Sequence, residues 1–325
     1  MKNTLKKLIL ICLFIYVGDA LAQKTGVLVM AHGGGEEWNN YVKEAAMPLS
    51  DHYEVEFAWG MANPVTLQQG VNSLEKKGVS EIIAIPLFIS SYSPIIRQTE
   101  YLFGMRDSMV DRPMPVMHHA DHYIKMFNVE VDSSKFRHGM YFPDELPRIS
   151  KEADITMTEA LDSHDVVAEI LGERIHAMSE NPSTETVIIA AHGPNSEEDN
   201  AMWVETMEEL IQKIQTNEEK DGGEKFKQMF GVTVRDDASE TVHDQAKAQL
   251  RTLVRQSGMN GDVIVVPLFL SSGGREQAVA ERLEGLDFKW SGETLLPHSK
   301  LTDFLMNSAE KADETKNGKN QASIE

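Results

Sequence analysis

Three landmarks occur twice in this chain, in one order, and that repetition limits the possible folds more than any other feature. Gly26-Val27-Leu28-Val29-Met30-Ala31-His32-Gly33 and Val187-Ile188-Ile189-Ala190-Ala191-His192-Gly193 are apolar runs that stop at Ala-His-Gly. Ile85-Pro86-Leu87-Phe88-Ile89-Ser90-Ser91 is matched by Val266-Pro267-Leu268-Phe269-Leu270-Ser271-Ser272. Met114-Pro115-Val116-Met117, reaching His118 and His119, is matched by Thr294-Leu295-Leu296, reaching Pro297 and His298. Continuous apolar runs closed by glycine turns read as parallel strands buried on both faces. Helical spacing fills the gaps between them, as at Trp38, Tyr41, Val42, Ala45 and Leu49. The expected architecture is α/β: two similar domains, each with a four-stranded parallel sheet flanked by helices, and a cleft between them. In such sheets ligands bind beyond the carboxyl ends of the strands, which is where His32 and His192 fall.

The expected divisions follow from the landmarks. Residues 1–22 read as a secretory signal: Lys2, Lys6 and Lys7, then an apolar Leu8–Val17, then Ala20-Leu21-Ala22 as a cleavage site before Gln23. The apolar run is short of the roughly 20 residues that span a bilayer, so no stable membrane insertion is expected after cleavage. Export to the periplasm or beyond follows from this reading. Residues 24–128 form the first domain, 129–183 a linker and helical connection, 184–308 the second domain, and 309–325 a charged, disordered tail. Within the connection, Ile155 to Met178 reads as helix, and Asn217 to Glu224 in the second domain as a solvated loop.

The one cysteine, Cys12, lies in the signal segment, so the mature chain has no disulfide and no thiolate ligand. A metal site must draw on His, Asp, Glu, Met or backbone oxygen. Cleavage removes three lysines and one aspartate and leaves 28 basic against 50 acidic residues, a net charge of −22. Such a surface disfavours nucleic acid and favours cations.

Each candidate residue has two readings. A strand-end histidine such as His32 or His192 packs or caps in many proteins; duplicated across facing domains, the pair lines one cleft, where a neutral imidazole binds metal or accepts a proton. His118 and His298, at the ends of the fourth strands, then converge on His32 and His192 as further ligands. Ser90, Ser91, Ser271, Ser272, Gly273 and Gly274 either end buried strands or form small-residue loops that admit a flat ligand, the second beside an anion-holding helix N-terminus. They match neither a phosphate loop nor a dinucleotide fingerprint, so no nucleotide is expected.

Strand-Ala-His-Gly followed by Val-Pro-Leu-Phe-Leu-Ser-x-Gly-Gly, duplicated over about residues 24–128 and 184–308, resembles the class II tetrapyrrole chelatases, the sirohydrochlorin cobaltochelatases and their ferrochelatase relatives. The resemblance implies a bilobal fold, a tetrapyrrole in the interdomain cleft, and ATP-independent insertion of Co²⁺, with Fe²⁺, Ni²⁺ or Zn²⁺ as other candidates. It implies that His32 and His192 are metal ligands and proton acceptors. The family motif closes on a second histidine; Pro94 and Arg275 stand there in this chain. Arg275 suits a tetrapyrrole carboxylate instead. The residues leave a second function open, a non-catalytic periplasmic carrier of metal, haem or another tetrapyrrole.

Overall fold

The structure, a computed structural model, describes residues 24–117, 119–130, 132–220 and 222–322, with side chains placed through residue 315. The expected signal segment and His118 lie outside the described residues. The first half runs β1 (Thr25–Ala31), α1 (Glu36–Ala46), β2 (Glu54–Trp59), α2 (Pro64–Lys76), β3 (Glu81–Leu87), α3 (Pro94–Phe103) and α4 (Ala120–Phe127). A small hairpin, β4 (Phe136–Arg137) and β5 (Met140–Tyr141), precedes β6 (Asp154–Met157) and α5 (Asp165–His176). The second half runs β7 (Thr186–Ala191), α6 (Glu197–Lys220), β8 (Gln228–Thr233), α7 (Glu240–Gly258), β9 (Val263–Leu268), α8 (Arg275–Arg282), β10 (Lys289–Trp290) and α9 (Lys300–Ala322). The strands form two four-stranded sheets in the orders β2-β1-β3-β6 and β10-β9-β7-β8. Every pairing within them is parallel, as the apolar runs predict.

β3, β7 and β9 are buried at every position because helices cover both faces. The prolines of the repeated motif sit next to last in β3 and β9, which are interior strands rather than edges. The ladders explain how they are tolerated. β3 pairs β6 only over Glu81–Ala84, and β9 pairs β10 only over Ile264–Val265, so both ladders end before a proline N–H is needed.

The fourth strands are not those expected. Met114–Met117 joins neither sheet; Val116 makes a lone antiparallel bridge to Tyr141 of the hairpin. The fourth strand of the first sheet is β6, inside the segment read as linker and helix. In the second sheet it is the two-residue β10, with Leu295 and Leu296 following on by bonding the carbonyls of Phe269 and Leu270. Period-2 patterning is too faint in strands of two to four residues to mark them. α6 extends to Lys220, through half of the expected loop, and α9 carries residues 309–322, expected as tail, in helix.

One hydrophobic core joins the two sheets. α1, α5, α6 and α9 lie in it, with Val27 and Ile83 of one sheet and Val187 and Ile264 of the other. The helices cross over: α5 leaves the first sheet and packs on β9 and α6, while α9 leaves the second and packs on β3 and α1. The outer faces have separate cores, under α2, α3 and α4 on one side and under α7 and α8 on the other.

Candidate functional site

The chain turns in the same way at the end of β1 and of β7. The amide of Gly60 donates to the Ala31 carbonyl at 2.9 Å, and that of Val234 to the Ala191 carbonyl at 2.8 Å. Gly33 and Gly193 follow the histidines at φ +78° and +73°, a region that disfavours side chains. A Cβ on Gly193 would also lie 2.5 Å from Thr233 Cβ. Each histidine Nδ1 contacts the carbonyl of the following glycine, at 2.7 Å for His32 and 2.8 Å for His192. A carbonyl only accepts, so Nδ1 carries a proton in both rings, and the second nitrogen, Nε2, is the one that exchanges a proton; on His32 it faces no bonded partner among the described residues. The neutral Nδ1–H tautomer is the one a metal ligand or proton acceptor requires.

Beyond the turn the two copies diverge. His32 is exposed. His192 is partly buried against the Phe269 ring, with Nε2 3.3 Å from Asp237 Oδ2. Arg275 Nη1 lies 3.2 Å from Asp237 Oδ1 and 3.8 Å from Asp236 Oδ2, and Arg282 holds the other oxygen of the buried Asp236. Burial alone would push the His192 imidazole down, but the bonds to Asp237 and Gly193 and the charge of Asp237 reverse it, and the net shift is upward. The bond from His192 holds the Asp237 carboxyl down at about 2. Arg235, also buried, anchors the loop through Glu197 Oε1 at 2.9 Å and the Asn195 carbonyl at 2.8 Å. Counting from the matched amides Gly60 and Val234, the position of Asp237 is held by Asn63 in the first half. Asn63 accepts from the Val65 amide to cap α2 and donates to the Met117 carbonyl, so it is not available to His32.

The serine loops differ as well. Ser90 is buried and accepts from the Tyr92 amide. The Ser91 amide and hydroxyl both donate to Asp162, at 2.8 and 2.5 Å. The space beside Ser90 and Asp162, closed by Trp203, is about 10 Å³, about enough for one water and far too small for a macrocycle. In the second loop Ser271 is buried and its hydroxyl has no partner among the described residues, while Ser272, Gly273, Gly274 and Arg275 are exposed. The amides of Gly273 and Gly274 donate to the Glu276 carboxylate, which caps α8 internally. Pro94 and Arg275 occupy equivalent places, each the first residue of a helix, and Pro94 follows the Ser93 cap.

His298 does not join His192. Because β10 ends at Trp290, His298 lies beyond the sheet at the start of α9, where Nε2 donates to Glu173 of α5 at 3.0 Å and Nδ1 accepts from the Lys300 amide. Among the described residues no three His, Cys, Asp or Glu side chains are grouped to hold a metal ion. Asp236 and Asp237 escaped the sequence reading, although an Arg-Asp-Asp directly after an apolar strand is a legible signal.

The lobes meet through these same loops. Arg97 makes a two-point bond to the buried Asp199, at 2.9 and 2.8 Å, and Trp203 Nε1 donates to the Tyr92 carbonyl at 2.9 Å. A Cβ on Gly273 would lie 3.9 Å from Trp38 of α1. The C-terminal edges of the two sheets therefore approach one another, with His32 and His192 each on its own edge.

No protein-family model and no curated protein sequence matches the chain. Among solved structures it resembles SirB from Bacillus subtilis with Fe³⁺, with a TM-score of 0.54 and 11% identity over 91% of this chain and 98% of that one. It also resembles DR2241 from Deinococcus radiodurans, a multi-domain protein described as structurally similar to chelatases and carrying two additional domains. There the TM-score is 0.48 and the identity 14%, over 89% of this chain and 55% of that one. The chain thus has a chelatase-like fold.

Proposed function

We propose that this protein is an exported, chelatase-type protein that takes a divalent metal and a tetrapyrrole as substrates in the cleft between its lobes and inserts the one into the other. The observation that carries the reading is the pair of strand-end imidazoles, each with Nδ1 tied to a glycine carbonyl, His32 with Nε2 exposed and His192 with Nε2 beside Asp237. The end-to-end likeness to SirB supports it, as does the Fe³⁺ in that structure. The residues of the first 22 positions support export.

Insertion binds M²⁺ to the macrocycle nitrogens and releases two pyrrole N–H protons. The divergence of the two copies suggests a division of labour. The exposed His32 offers its lone pair to the incoming metal. The His192–Asp237 pair, with the imidazole's affinity for protons raised, accepts one pyrrole proton, and the second passes to solvent. Arg275, exposed beside it, recognises a carboxylate on the macrocycle rim. Metal delivery by a single imidazole is weak, which suits an ion that must be passed on. Co²⁺ and Fe²⁺ are the leading candidates, with sirohydrochlorin the leading macrocycle.

The lack of a three-ligand group among the described residues favours a second reading, a carrier that binds without turnover. Anaerobic incubation with Co²⁺ or Fe²⁺ and sirohydrochlorin separates them by visible absorbance. Insertion faster than the protein-free control, and lost in His192→Ala, supports the chelatase. Binding without acceleration supports the carrier, and no binding of either substrate refutes both.

A further inference from the structure

The repeat that relates the two halves also relates the two places where their C-terminal edges meet. Each junction sets the third residue of the helix after a strand-end histidine against the serine loop, and the helix after it, of the opposite half. In one junction that third residue is Asp199 of α6, and the opposite half supplies Tyr92 and Arg97. The two-point Arg97–Asp199 bond and the Trp203 bond to the Tyr92 carbonyl lock it. In the other junction the third residue is Trp38 of α1, and the counterparts of Tyr92 and Arg97 are Gly273 and Ala278. The ion pair is gone, and a tyrosine has become a glycine. Trp38 Nε1 bonds to no group among the described residues.

The indole of Trp38 is held from its own half. A Cβ on Gly34 would lie 2.9 Å from Trp38 Cγ, so the glycine beside the His32 turn leaves the ring its place. Trp59 meets it in a T-shaped pair, with centres 6.5 Å apart and planes at 75°, and is itself stacked on Phe57 at 5.3 Å. The pairing registers put Gly231 and Thr233 at the places of Phe57 and Trp59 in the second half, so this aromatic group has no counterpart there. Across from the partly exposed indole lies backbone without side chains. A Cβ on Gly273 would be 3.9 Å from Trp38 Cδ1, and one on Gly274 would meet nothing within 4 Å. Arg275 follows directly.

Resting on the function proposed above, we propose that the flat face of the macrocycle stacks on Trp38, the ring entering between the indole and the Gly273–Gly274 backbone. No polar bond holds the indole on that side, so its rotation admits the ring and the sheets need not move. An indole that only packed the lobes together would not explain the glycine pair opposite it, because a larger residue at 273 would bury it further. The stacked ring has the His32 turn at one margin and Arg275 at another. It thus connects the imidazole that offers a lone pair with the guanidinium that takes a rim carboxylate.

Anaerobic titration with metal-free sirohydrochlorin, and separately with metal-free protoporphyrin, followed by macrocycle absorbance, tests this. The wild type should bind at least one of them. Trp38→Leu should bind it about tenfold more weakly, and Trp38→Phe, which keeps a ring, should recover most of that loss. Gly273→Ala should fold as the wild type does, since its Cβ meets only an ordinary contact at 3.9 Å, and should also weaken binding by narrowing the entry. It decides the matter where circular dichroism shows that Trp38→Leu does not fold. Unchanged affinity in a folded Trp38→Leu or Gly273→Ala overturns the inference and leaves the proposed function standing. A phenylalanine variant as weak as the leucine one does the same. Wild-type protein that binds neither macrocycle overturns both.

Discussion

Replacing Asp237 by Asn isolates the feature that distinguishes the two strand-end histidines. The carboxyl falls from its ordinary 3.8 to about 2, chiefly through its bond to His192. Taken alone that shift converts to about 2.5 kcal/mol. Asp237 is 53% exposed, however, and solvent screening reduces the contribution to about 0.5–1 kcal/mol. The depressed carboxyl contributes stability in full above pH 3.8, and loses it as pH falls through 2. The raised imidazole contributes in full below pH 6.5, and loses it as pH rises through its folded value. The wild-type advantage over Asp237→Asn should therefore be greatest between about pH 4 and 6.5 and shrink on both sides. Thermal melts across pH should show a difference of about 1–3 °C in that window. A ring-proton titration of His192 by NMR gives the sharper check. With Asp237 neutral, burial is opposed by less, so the midpoint should fall relative to wild type. An unmoved midpoint would mean that Asp237 does not govern the imidazole, and the assignment of His192 as proton acceptor would lose its basis.

Gly193→Ala combines a positive φ with a 2.5 Å clash at Thr233 and should cost about 2–4 kcal/mol in urea unfolding, whereas Gly33→Ala, 3.4 Å from Trp59 Cβ, should cost about 1 kcal/mol. Asp199→Ala leaves Arg97 without its two-point partner between the lobes and should cost about 1–3 kcal/mol, with Asp199→Asn recovering part of it. His32→Ala with His192→Ala should weaken Co²⁺ binding at least tenfold by calorimetry while the melting curve stays cooperative; unchanged affinity would remove both histidines from the site. Protein from the native compartment should begin at Gln23 by mass spectrometry, and an intact first segment would refute export.

The sequence made the central strands legible because each is buried on both faces. β1, β3, β7 and β9 are continuous apolar runs, and the turns after them need glycine. The outer strands were not legible. β6 and β10 are short, pair on one side, and carry residues such as Asp154 and Lys289 that read as loop. That error displaced His298, which belongs to the start of a helix and not to a strand end. The serine loops were legible as a repeat but not in their chemistry. Asp162, 71 residues from Ser91, takes the bonds that a ligand would have needed. No local pattern announces a contact of that separation, and the same holds for Arg97 with Asp199.

The exchange of α5 and α9 gives the duplicated fold its functional consequence. Each sheet is completed on its inner face by a helix that departs from the other, so neither half retains its core if the halves separate. The strand-end loops are thereby held at a fixed separation by buried apolar packing, with Arg97–Asp199 and Trp203–Tyr92 closing one side. A rigid pair of edges lets the two copies specialise. The first kept an exposed imidazole and used Asn63 for structure. The second gained Asp236, Asp237 and Arg275 around a half-buried one. On the proposed function, identical sites would compete for a bound metal, whereas an exposed lone pair on one sheet edge and a His192–Asp237 pair on the other would favour transfer in one direction. This asymmetry is the physical reason to expect that His32→Ala impairs metal capture and Asp237→Asn impairs turnover, rather than the two substitutions acting alike.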